Sequence, residues 1–162
     1  MKEVIFMRHG KSSWEYEVGD QDRPLSQRGV HDAHLVGAAL CDLQLPLDHF
    51  YSSPANRALH TCMICTREVS FPPDRISIVS QLYDFSGHHA LEFLRSLDTD
   101  LQRVMVFGHN HAFTHLVNEL GSVRHDNVPT SGLVHLRFDV GAWSALGPGG
   151  TTVRSIFPKE MR

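Results

Sequence analysis

Apolar and polar positions alternate along the chain in blocks of two lengths. The short apolar runs "EVIFMR" (3–8), "HFYSS" (49–53), "RISIV" (75–79) and "RVMVFGH" (103–109) have the length of strands, and the most continuous of them suit burial on both faces. Between them stand longer stretches with helical character, 28–43, 54–69, 88–97 and 112–120; the third carries Leu91, Phe93, Leu94 and Leu97 on its apolar side. Ser26 is placed to cap the first of these helices, Pro54 stands at a favourable first-turn position of the second, and Gly121 ends the fourth. The tail changes pattern: "GLVHLRFDV" (132–140) and "TTVRSIF" (151–157) read as two strands joined by the Gly/Pro-rich "GAWSALGPGG" (141–150).

Alternation of strand and helix predicts an α/β fold. The expected architecture is a three-layer sandwich: a mainly parallel sheet with helices on both faces, and antiparallel edge character supplied by the C-terminal pair. The chain has 162 residues and shows no repeat, linker or low-complexity segment, so residues 1–162 are expected to form a single domain.

Composition narrows the partners. Apolar content of 41 %, charged content of 20 % and a formal net charge of -3 describe a soluble globular protein, with no nucleic-acid or membrane partner expected. No apolar stretch approaches the roughly 18 residues of a membrane span, and the N-terminal run is shorter than a signal peptide's apolar region. The cytoplasm is the expected location. Cys41, Cys62 and Cys65 make an odd count in a chain that needs no staples, and are expected to be reduced thiols. Any positive site must be local, and the twelve histidines acquire meaning only from their positions.

Three strands end in polar, reactive residues: Arg8-His9-Gly10 after the first, Ser52-Ser53 leading to Arg57 after the second, and Gly108-His109 after the fourth. In an open α/β sheet, ligands bind in the crevice beyond the carboxyl ends of the strands. Two arginines and two histidines converging there would form an anion site, and guanidinium forks match phosphate oxygens. The simplest ligand is a phosphoryl group. Other motifs are blander. Cys62-x-x-Cys65 lies mid-helix without a second ligand pair, and His111 and His115 share i, i+4 spacing but lack the Glu of H-E-x-x-H and a third ligand. No metal and no cofactor is expected. Trp14, Tyr83 and Phe85 suit either a pocket mouth or ordinary packing, while Arg23 reads as a loop anchor.

Taken together and in order, "MRHGKSSW", "DRPLSQRG", "YSSPANRALHT", "LYDFSG" and "VFGHNH" resemble the histidine phosphatase superfamily, the phosphoglycerate-mutase-like family, and within it the SixA-type phosphohistidine phosphatase branch. The resemblance runs from Val4 to Phe157. It implies that His9 is the nucleophile that becomes phosphorylated, with Arg8, Arg57 and His109 binding the phosphoryl oxygens. The branch usually shows Ala where this chain has Gly10, and Pro where it has His111. Residue chemistry agrees with the assignment: a neutral imidazole can attack phosphorus without first losing a proton, and phosphoryl transfer asks the protein mainly for positioning and positive charge, to which a protonated His109 would add. Asp84, in the loop after the third strand, is the candidate proton donor; the alternative is a loop Asp that makes a turn before Ser86-Gly87. The expected function is a metal-independent phosphatase acting on phosphohistidine carried by a protein, because little chain remains between the site residues to enclose a small metabolite. The alternatives are a small-molecule phosphomonoesterase of the same superfamily and a non-catalytic phosphate-binding module.

Overall fold

A computed structural model describes residues 1–162. Six strands, β1 (Lys2–Arg8), β2 (His49–Ser52), β3 (Ile76–Ile78), β4 (Arg103–Gly108), β5 (Leu133–Phe138) and β6 (Thr151–Ile156), form one sheet in the order β3-β2-β4-β1-β5-β6. The first four in this order run parallel, β5 is antiparallel to β1, and β6 is antiparallel to β5. The expected α/β sandwich is therefore present, with the tail strands supplying the antiparallel part.

Side-chain alternation in β1 shows how the layers are divided. Val4 and Phe6 face a core built with α3 (His88–Arg95) and α4 (Ala112–Leu120), while Ile5 and Met7 face one built with α1 (Gln27–Leu43) and α2 (Asn56–Glu68). All four side chains are fully buried, as a strand covered on both faces requires. Cys62 and Cys65 belong to the second core, where burial pushes the Cys62 thiol up to about 12; Cys41 is exposed, and all three cysteines are unpaired. No helix is long and apolar enough to cross a membrane.

Local signals fix the helix ends, with one difference from expectation. Ser26 caps α1 by accepting from the Gly29 N–H at 3.1 Å. Pro54, however, lies ahead of α2, which is entered through Ala55 and begins at Asn56. Gly121 does end α4 but in extended backbone, with φ -94°. A Cβ there would stand 2.5 Å from Thr152 Oγ1 and 2.8 Å from Leu136 Cδ2. Close approach of the sheet, and no left-handed turn, requires the glycine.

Candidate active site

The sheet topology brings the predicted residues together. The β1 connection crosses one face through α1, and the β4 connection crosses the other through α4, so a crevice opens at the carboxyl ends of these adjacent strands. Arg8 is in register with Gly108, so His9 and His109 follow side by side, with ring centroids 5.2 Å apart. The second residue of α2, Arg57, enters from the neighbouring β2 exit and is 1 % exposed.

His9 is held by its backbone and its ring. Its N–H donates to Gly108 O at 3.0 Å, and its carbonyl accepts from Ser131 N at 3.0 Å, a residue in the left-handed region at φ 60°. Nδ1 lies 2.7 Å from the Gly10 carbonyl, which assigns the ring proton to Nδ1. Nε2 then carries the lone pair and lies 3.4 Å from the Arg57 Nε–H donor. Burial pushes the His9 pKa down to about 4; the Gly10 carbonyl opposes this, while Arg57, Arg8 and Arg23 reinforce it. The His9 ring is thus neutral over the physiological range.

His109 is fully buried, and Nε2 lies 2.8 Å from Ser53 Oγ. Its Nδ1 is 3.5 Å from Arg57 Nη2. Burial, followed by His9 and Arg57, drives its pKa down to about 3. This corrects the expectation of a protonated His109: in this structure the positive charge comes from guanidiniums, and His109 is a neutral hydrogen-bonding partner. Arg8 donates from Nη1 to Val128 O at 2.9 Å and leaves its buried Nε without a partner.

Asp84 is also corrected. Its carboxylate accepts from Ser86 N, Ser86 Oγ and Gly87 N, each at 3.1 Å, and from Ala90 N at 3.0 Å. It therefore caps the start of α3, and it does not line the pocket containing His9. Burial raises its pKa, but the hydrogen bonds from Ala90, Ser86 and Gly87 outweigh burial and the net shift is downward. A carboxylate held ionised by four donors is a poor proton donor, so the turn-forming alternative accounts for Asp84.

Several contributors are not apparent from the sequence pattern. Arg23 is 8 % exposed, bonds Ser12 and Asp20, and lies in the same pocket wall as Arg8, His9 and Arg57. Asp20 links Arg57, Arg23 and the Tyr83 hydroxyl. Thr61 accepts from Gly10 N at 2.9 Å and donates to the Arg57 carbonyl at 2.7 Å, coupling the segment after β1 to α2. The "DQDRP" polarity of the loop (20–24) is the available signal for Asp20 and Arg23, but a solvated loop has the same composition.

The pocket holds about 340 Å³, and its rim carries Trp14, 78 % exposed and stacked 3.7 Å from the Arg23 guanidinium, and Phe85, which lies against His109. A neighbouring cleft of about 820 Å³ is larger but contains none of Arg8, His9 or Arg57, all of which line the smaller one; chemistry, not volume, selects it. No three His, Cys, Asp or Glu side chains converge as metal ligands, and His115 instead lies 2.8 Å from Glu119.

Known proteins share the sequence pattern and the fold. The model of the histidine phosphatase superfamily (branch 1) matches residues 4–83. An uncharacterized protein of Mycobacterium tuberculosis is 28 % identical over 153 residues, covering 88 % of this chain and 93 % of that protein. A 2,3-bisphosphoglycerate-dependent phosphoglycerate mutase of Chlamydia abortus is 41 % identical over 64 residues, or 38 % of this chain and 27 % of that protein. The fold matches the protein histidine phosphatase SixA complexed with tungstate, with TM-score 0.83, 21 % identity and 99 % of each chain covered. A SixA structure from Agrobacterium tumefaciens matches with TM-score 0.79, 21 % identity and coverage of 96 % and 97 %.

Proposed function

We propose that this chain, which belongs to the histidine phosphatase superfamily, hydrolyses phosphoryl groups through a covalent intermediate on His9, and that its substrate is phosphohistidine on a protein. The His9 ring carries the reading: Nδ1 is tied to the Gly10 carbonyl, and Nε2 presents its lone pair beside Arg57. In the first step Nε2 attacks phosphorus, a P–N bond forms to His9, and the bond to the leaving imidazole breaks while that ring takes a proton from water. In the second, water attacks phosphorus, releasing inorganic phosphate and restoring His9. Arg8, Arg57 and the His109 ring surround the equatorial oxygens and stabilise their charge.

The carboxylates favour this substrate class. Asp20 is the only carboxylate lining the pocket; the Tyr83 hydroxyl, opposed by burial and aided by Arg57 and Arg23, holds it well below the ordinary carboxylate range. An alkoxide leaving group needs a proton donor that these residues do not supply, whereas an imidazole with a pKa of about 6.5 leaves after protonation by solvent. General acid catalysis is worth roughly 10²–10⁴-fold, so kcat/KM for a phosphohistidine protein should exceed that for an alkyl phosphate by about that factor. Faster turnover of alkyl phosphates would select a small-molecule phosphomonoesterase instead. The exposed Trp14 and Phe85 at the rim suit a phosphate presented on a protein surface.

A further inference from the structure

Asp20 lies in the short 3-10 turn Asp20–Asp22, and its side chain is about half exposed, whereas the cations it touches are buried. One carboxylate oxygen, Oδ2, lies 3.0 Å from Arg57 Nη2 and also accepts from the Tyr83 hydroxyl. The other, Oδ1, lies 3.2 Å from Arg23 Nη2, and the Asp20 carbonyl accepts from Arg57 Nη1 at 2.6 Å. A single carboxylate thus bridges two guanidiniums, each through a separate oxygen. These are the charge-assisted contacts that two oxygens of a phosphoryl group would make.

Three guanidiniums share the pocket wall with Asp20, and Arg57 and Arg23 are 1 % and 8 % exposed. Buried cations without an anionic partner destabilise the fold. Arg57 has little donor capacity to spare, since Nε faces His9 and Nη2 faces both Asp20 and His109. Arg23 Nε is buried with no partner, so Arg23 retains a donor that Asp20 does not use. We infer that the Asp20 carboxylate is an internal counter-anion of the site, and that a phosphoryl dianion binds by competing with it for Arg57 and Arg23. The inference rests on the phosphatase reading and adds two members to it: Arg23 as a third phosphoryl-binding cation, and Asp20 as the residue that tunes anion affinity against fold stability.

Titration calorimetry with inorganic phosphate, at fixed pH and ionic strength, tests this on wild type, Asp20→Asn and Asp20→Ala. Both variants should bind phosphate about three- to tenfold more tightly than wild type, the scale expected for removing a partly exposed ion-pair competitor. Their melting temperatures should fall below wild type in phosphate-free buffer, and the deficit should shrink as phosphate is added, because the ligand replaces the missing counter-charge. Equal or weaker phosphate binding in both variants, with wild type binding normally, overturns the inference and makes Asp20 a positioning residue for Arg57. Phosphate binding to none of the three proteins overturns the site reading along with it.

Discussion

The His9 imidazole sits among Arg8, Arg23 and Arg57 in a buried crevice, and each of these surroundings disfavours a second ring proton. A histidine that remains neutral keeps the Nε2 lone pair available, and the Gly10 carbonyl decides which nitrogen that is. The sign is unambiguous. With its pKa lowered to about 4, the His9 ring is unprotonated at Nε2 from alkaline pH down to that value and loses its lone pair only below it. Nitrogen-15 NMR titration of the His9 ring should therefore give a midpoint near 4; a midpoint near the ordinary 6.5 of histidine would show that burial and the three guanidiniums do not act on it as described.

At the scale of elements, α3 shows how a site candidate can prove to be a structural residue. Its N-cap position is Gly87, at φ 101°, which has no side chain to offer the helix's first N–H groups. Asp84 reaches in from three residues upstream and accepts from Gly87 and Ala90. Asp84→Asn keeps the size but removes the charge and one acceptor oxygen, so the fold should lose about 1–3 kcal/mol in denaturant unfolding. Activity per folded molecule on phosphohistidine should be nearly unchanged; a large loss of kcat with unaltered stability would return Asp84 to the chemistry. The strands and helices themselves were legible, because runs such as "EVIFMR" and caps such as Ser26 carry local signals. Pro54 stands two residues ahead of α2 and not in its first turn, while Gly121 ends α4 as read but is fitted to Thr152 and Leu136, which no local pattern reveals.

The whole molecule makes the site by placing three strand exits at one sheet edge, and parallel register of β1 with β4 sets His9 beside His109. That convergence could be read from order and periodicity alone. What the sequence left hidden was the electrostatic balance: Asp20 pairs with Arg57 across 37 positions of chain, and the neutrality of His109 depends on burial and on Arg57, 52 positions away, contacts that only the folded sheet defines. The central claim, a phosphoryl group carried on His9, is tested most directly by rapid quench. Wild type mixed with a phosphohistidine protein or an aryl phosphate and quenched in base within one turnover should carry phosphate that is stable in base and released by acid, while His9→Ala, folded as judged by its melting curve, should carry none. Label that persists in His9→Ala, or a wild type that turns over substrate without ever becoming labelled, would contradict the account.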